Sequence, residues 1–279
     1  AGILSFMMPT FLIITGYLVN IEKSPKQMGI YLMCLALPYV IMVSGFSVLS
    51  YFMPVRDGIT ELSFSQICEK IFVTSIGPYW FIQTMIICGI LYYISFKGAT
   101  WESLKQGKTT MSTTTSLFFF ATLLLLASKT PALSPSAAAY YFIGTAIRQC
   151  HIEFGKIFHP SPAALLLWFS LLGLEEWYDW GCLAVIFSCW CCISSLMWIH
   201  SLITRIQGKI YIQKIDNTLL YIGRNTLPIY LFHPIFTMVA KFYHPLFSWD
   251  PSEISFAAVT IILAITGSLL IAKMMEKTK

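Results

Sequence analysis

Charge is the scarcest property of this sequence. Only 11% of its 279 residues are Asp, Glu, Lys or Arg, against about 25% in an average soluble domain. A chain so poor in charge cannot cover a water-facing surface, and 57% hydrophobic residues with a mean hydropathy of +0.71 say where it sits instead. Period-2 alternation is also missing from the apolar runs, which excludes a membrane barrel. With no water to satisfy the backbone in lipid, helices are the remaining way to span. A polar domain-sized segment and an internal repeat are missing too, and the first apolar run does not read as a secretory leader, since no basic flank stands ahead of it and its length is wrong for one. The eight Cys form no disulfide framework. Cys189-Trp190-Cys191-Cys192 resembles a metal cluster on paper, but no His, Asp or Glu stands near it, and Cys inside an apolar helix behaves as a small hydrophobe. No metal is expected. The net charge of +5 reads as the basic loops of a membrane protein and not as a nucleic-acid surface.

What is present is a series of about nine runs of spanning length, at 3–20, 28–50, 79–96, 115–128, 136–150, 161–174, 181–204, 217–242 (interrupted around Gly223–Pro228) and 253–272. The fold class expected is all-α, a polytopic transmembrane helix bundle forming a single domain over 1–279. The chain opens on Ala1, and an upstream helix would bring the count to about ten. Ser63-x-x-Gln66 predicts a capping box opening a short amphipathic helix whose face is Phe64, Ile67, Cys68, Ile71 and Phe72. Tyr79-Trp80 reads as an aromatic anchor at headgroup depth. Of the 18 basic residues, only Arg56, Lys70, Lys129 and Lys241 fall on one side of this layout, and Arg224 falls between the two. The positive-inside rule makes the richer side, with the C-terminus, cytoplasmic.

Ionisable groups at membrane depth are functional candidates by default. Asn225 or Thr226 can cap a helix that has Pro228 in its first turn. From there Thr226, Tyr230, His233 and Thr237 make one polar stripe, which should face inward. His233 can exchange a proton near neutral pH. Interhelical hydrogen bonding explains the stripe as well, and spacing leaves both readings open. Tyr141, Gly144, Thr145, Arg148 and His151 make a second set. Arg148 is suited to grip a phosphate or carboxylate; the plainer reading is an Arg snorkelling to the interface. Lys23 and Lys26 close the first run, where lysines either fix topology or meet an anionic ligand. His159 and His200 read as interfacial. Glu175, Glu176 and Asp179 form an acidic turn on the outer side.

Several segments together resemble the membrane acyltransferase 3 family, in particular its fucose 4-O-acetylase-like branch. Ser5–Leu18 is similar to the segment FHMPLFFFISGYL, Lys26 followed by Leu37-Pro38-Tyr39 to a basic-then-LxPY stretch, and Gly77–Ile82 to a WFL signature. Tyr141-Phe142-Ile143-Gly144 is similar to an FxxG helix, and Gly223–His233 to GxNSLxIYLLH. The resemblance implies O-acetyl transfer from cytoplasmic acetyl-CoA to a sugar hydroxyl of a cell-surface polysaccharide or its lipid-linked precursor, in the inner (plasma) membrane. Among the residues present the candidate proton acceptor or substrate anchor is His233, with Tyr230 and Asn225 beside it; a base on an upstream helix is the alternative. Lys23, Lys26 and Arg148 would then meet the CoA phosphates, and Trp80 would offer a face to a sugar ring. Family members carry a basic His on a helix ahead of the first one here, and Met7 stands where FHMP has its His. Two other readings stay open: a transporter or flippase for small molecules or lipid-linked sugars, and an inactive relative serving as a partner subunit. Assembly of several copies is compatible with any of them.

Overall fold

The computed structural model describes the backbone of residues 6–52, 57–98, 112–174, 181–206 and 209–277. Among these residues every regular element is helical. In chain order they are α1 (Met7–Leu18), α2 (Pro25–Phe52), α3 (Phe64–Phe72), α4 (Trp80–Tyr93), α5 (Thr113–Ala127), α6 (Pro135–Gln149), α7 (Phe154–Ile157), α8 (Pro162–Leu172), α9 (Cys182–Ile206), α10 (Lys209–Arg224), α11 (Thr226–Tyr243) and α12 (Ile254–Lys277). Each apolar run read from the sequence is helical, but their lengths are uneven. Pro25–Phe52, Gly77–Lys97, Cys182–Arg205 and Ile254–Met275 are long and apolar enough to cross a bilayer, whereas α1, α5 and α8 are shorter apolar helices. The run at 217–242 is interrupted where the sequence reads it to be: it breaks at Asn225, between α10 and α11. Large apolar side chains point outward along α2, α5, α8 and α12, among them Met33, Phe118, Leu166 and Ile262. A soluble monomer does not expose apolar surface on that scale, so the chain is an all-α membrane protein.

Two compact units divide the chain, Ala1–Arg205 and Ile206–Lys279. In the first, α1 and α6 run side by side in the same direction. Gly16 lies against Tyr141 and Thr145, and Gly144 against Ile13 and Tyr17. At the other end of α1, the Phe6 ring meets Trp168 edge-on at 5.4 Å, and the Cys189 thiol donates to the Phe6 carbonyl at 3.5 Å. Cys191 and Cys192 are buried beside it on α9. Tyr92, Phe120 and Phe142 join α4, α5 and α6 through ring contacts of 5.3 and 5.9 Å.

Ser24 and Gln27 cap α2 reciprocally: Gln27 N–H donates to Ser24 Oγ, and Ser24 N–H to Gln27 Oε1. The box expected at Ser63 and Gln66 is half formed. Gln66 N–H donates to Ser63 Oγ, but Gln66 Oε1 reaches further back and accepts from Thr60 and Glu61 N–H. α3 presents Phe64 and Phe72 outward and buries Ile71, whose carbonyl accepts from Tyr39 OH at 2.8 Å. Tyr79 corrects the aromatic-anchor expectation. A 3-10 turn over Gly77–Tyr79, with Gly77 at φ +57, swings its ring inward to pack edge-on against Phe46, fully buried, and leaves only Trp80 half-buried.

In the second unit α11 and α12 form an antiparallel hairpin. Phe236 sits over Gly267, and Tyr243 OH shares a hydrogen bond with Thr260 Oγ1 at 3.1 Å. A 3-10 turn at His244–Phe247 and a cap at Asp250 make the connection.

Candidate functional site

The last turn of α6 is built to end sharply. His151 N–H donates to the Arg148 carbonyl and Ile152 N–H to the Ile147 carbonyl. With His151 at φ +54, this is a Schellman closure with a non-glycine residue in the left-handed position. The stripe expected from Tyr141 to His151 is therefore cut: Tyr141, Gly144 and Thr145 are buried in α6, Arg148 is exposed at its last turn, and His151 has left the helix. The turn swings the chain under the end of α1. A cleft of about 370 Å³ opens there, lined by Tyr17, Asn20, Glu22, Arg148, Gln149 and Glu153 among others. That is within the usual range for small-molecule sites.

The Tyr17 ring lines this cleft. The Arg148 guanidinium lies 5.7 Å from the Tyr17 ring centre, and that ring packs on Phe154 at 5.2 Å. Gln149 Nε2 donates to the buried Tyr92 hydroxyl, which ties the cleft to α4. The charge is mixed. Glu153 is paired with Lys156 at 3.3 Å, while Glu22 sits at the rim with its N–H on Asn20 Oδ1. Arg148 is the cationic side chain that lines it. Its five N–H donors and planar head suit a phosphate or carboxylate, and its place at a helix C-terminus is favourable without any ligand.

Lys23 and Lys26 do not line the cleft. Lys23 Nζ stacks over Tyr31 at 4.1 Å while its carbonyl accepts from Tyr93 OH at 3.0 Å. Lys26 is exposed in the first turn of α2. Trp80 opens α4 and contacts Phe81 at 6.3 Å. Tyr93, which holds Lys23, ends the same 14-residue helix, so Trp80 and Lys23 lie about 20 Å apart along it. Glu175, Glu176 and Asp179 fall outside the described residues.

His233, Tyr230 and Asn225 lie in the second unit. Phe236 and Tyr243 mark the face of α11 that meets α12, and at 100° per residue the stripe lies to one side of it. Thr226 and Thr237 are exposed, and Tyr230 and His233 are half-buried with rings 5.6 Å apart. His233 Nδ1 lies 2.8 Å from the Tyr230 carbonyl and 3.2 Å from that of Ile229. A carbonyl only accepts, so Nδ1 carries the proton and Nε2 is left as the basic nitrogen of the neutral ring. Asn225 holds the N-cap position of α11 without capping it. Its Nδ2 donates backward to the Tyr221 carbonyl at 2.8 Å, and Thr226 Oγ1 donates to the Gly223 carbonyl at 2.7 Å. Both close the end of α10 instead of opening α11.

The sequence reading did not single out Tyr17 and Gln149. The available signal was that Tyr17 falls inside the Ser5–Leu18 segment and that Gln149 abuts Arg148. A family model described as an acyltransferase domain, acyltransferase 3, matches residues 2–273. No curated protein and no solved structure matches the chain.

Proposed function

The chain belongs to the acyltransferase 3 family, and from that premise we propose that it moves an acetyl group from acetyl-CoA to a sugar hydroxyl of a cell-surface polysaccharide or its lipid-linked precursor, as a member of the fucose 4-O-acetylase-like branch. The observation that carries the donor half is the cleft at Arg148. In this reading Arg148 takes a donor phosphate by paired charge-assisted hydrogen bonds, with Lys23 and Lys26 adding field from the neighbouring turn. The protein sits in the inner (plasma) membrane with the cleft and the C-terminus toward the cytoplasm. Trp80, at the far end of α4, stacks on the acceptor sugar.

The acceptor hydroxyl attacks the thioester carbonyl. The basic Nε2 of His233 takes the hydroxyl proton, and the C–S bond breaks to release the CoA thiol, which recovers a proton. Tyr230 fixes the ring beside it. Asn225 has its amide nitrogen committed to Tyr221 and contributes its Oδ1.

Purified protein in vesicles, given acetyl-labelled acetyl-CoA and a purified cell-surface glycan, transfers label. Arg148→Ala raises the KM for acetyl-CoA roughly tenfold or more and leaves kcat nearly unchanged, as the loss of a charged hydrogen bond worth about 1.5–3 kcal/mol requires. His233→Ala lowers kcat about 10²–10⁴-fold. Absence of transfer, or full activity in the His233 variant, overturns the reading. Met7, 41% exposed at the start of α1, favours the alternative of an inactive partner subunit, because a thioether accepts no proton where the family segment has His. Co-purification with an active relative, together with no transfer by this chain alone, supports that alternative.

A further inference from the structure

Helix α10 has an apolar face that the fold leaves uncovered. Ile215, Leu219 and Ile222 fall at i, i+4 and i+7; the first two are 41% and 55% exposed and the third is half-buried. Gln213, Asn217 and Arg224 take the opposite face, where Leu220 is the exposed apolar exception. In sequence, Lys209, Lys214 and Arg224 outnumber the single acid, Asp216.

The helix is a poor crossing segment. Its 16 residues reach about 24 Å, short of a hydrocarbon core of about 30 Å, and Lys214 and Asp216 stand near its middle. Its position in the chain is nonetheless at a membrane boundary. The helix before it, Cys182–Arg205, is one of those apolar and long enough to span, and Lys209 follows Arg205 within about 15 Å of chain. A helix with one apolar face and a basic excess, starting at the end of a span, matches a segment lying in the interfacial plane.

We propose that α10 lies flat on the bilayer, with Ile215, Leu219 and Ile222 among the acyl chains and Lys214 and Arg224 against anionic lipid headgroups. The partner is the lipid surface itself, and the break at Asn225 is where the chain turns from that plane into α11.

Limited trypsin digestion of the full chain in nanodiscs holding one copy each tests this. Cleavage after Lys214 and Arg224 is followed in discs of phosphatidylcholine alone and in discs about one-third phosphatidylglycerol. Lys129, an exposed residue between α5 and α6, is the reference site. Cutting in α10 is about tenfold or more slower in the anionic discs, the order expected for two basic side chains near such a surface. High salt or the substitution Leu219→Glu restores it, with cutting at Lys129 unchanged. Equal rates in the two lipids, or protection that appears only when two copies share a disc, overturns the proposal. The second result would assign the face to another copy of the chain.

Discussion

The two units each bring a pair of helices together at glycine, and they do so in opposite ways. At the α1–α6 crossing the contact is backbone on backbone. A Cβ on Gly144 would stand 2.0 Å from the Ile13 carbonyl oxygen and 2.9 Å from Tyr17 N, and a Cβ on Gly16 would stand 2.4 Å from the Tyr141 carbonyl oxygen. At the α11–α12 crossing the neighbour of Gly267 is the Phe236 ring, at 2.2 Å from its Cζ. A ring can tilt away, but a helix backbone cannot without moving everything attached to it. Between helices in lipid there is little hydrophobic drive, so close packing carries association. The first crossing is therefore rigid, and it lies one turn from Arg148. The second is deformable.

The largest effect follows from that difference. Gly144→Ala is expected to cost about 3 kcal/mol or more, at or beyond the upper end of ordinary overpacking, and to abolish a monodisperse, thermally stable species in detergent. Gly16→Ala follows the same direction. Gly267→Ala is expected to cost nearer 1 kcal/mol, taken up by rotation of Phe236. Melting temperatures of the variants side by side decide the matter: equal losses at Gly144 and Gly267 would break the contrast.

The sequence made these two regions unequally legible. Apolar length exposed the helical runs, because a chain in lipid has few other ways to satisfy its backbone. The Gly223–Pro228 cluster marked the break that falls at Asn225. What it could not mark was the character of α10, since Leu219, Leu220, Tyr221 and Ile222 read as the start of the next apolar run. Their exposure on a short helix with Lys214 and Arg224 emerges only once the break is placed. In the candidate site Arg148 was readable as a basic residue closing an apolar helix. Lys23 was not, because nothing in its neighbourhood in sequence announces that its amine will stack on Tyr31. Tyr79 and His151 failed for a shared reason: a backbone turn of positive φ, at Gly77 and at His151 itself, re-aims a side chain that helical periodicity assigns elsewhere.

His151 gives a prediction of intermediate size. Its φ of +54 places a Cβ-bearing residue where glycine is preferred. Replacing a strained left-handed residue by glycine relieves that strain and loosens the unfolded chain, and the two effects oppose each other. With the Schellman hydrogen bonds to Arg148 and Ile147 kept, His151→Gly is expected to stabilise the first unit by about 0.5–1 kcal/mol, an αL penalty of about 1–2 kcal/mol less the entropy of about 0.5–1 kcal/mol that glycine adds to the unfolded chain. The KM for acetyl-CoA should stay unchanged. A KM that moves with the variant would mean that the His151 ring serves the cleft it lines, and a fall in melting temperature would mean that the freedom added to the unfolded chain outweighs the strain relieved.

The smallest effect separates the units by pH. α6 is capped by the neutral hydroxyl of Ser134, which accepts from Ala137 N–H at 3.4 Å, so its first turn should ignore acid. α12 is held by a carboxylate. Asp250 Oδ1 accepts from Ser252 Oγ and N–H, and Oδ2 from Ser255 N–H at 2.9 Å. These bonds, the Ser252 hydroxyl first, hold the carboxyl well below its ordinary value. A depressed folded pKa means the contribution is fully present above the unfolded value of about 3.9 and is lost as pH falls through the folded one. The start of α12 should be as firm at pH 5 as at neutrality and loosen only in stronger acid. The residue is half-buried in a surface turn, so the change is confined to local opening. Amide exchange over residues 252–258, corrected for the intrinsic pH dependence, reads it. Asp250→Asn should remove the acid-induced step. A step that survives in that variant would show that the cap is not its source.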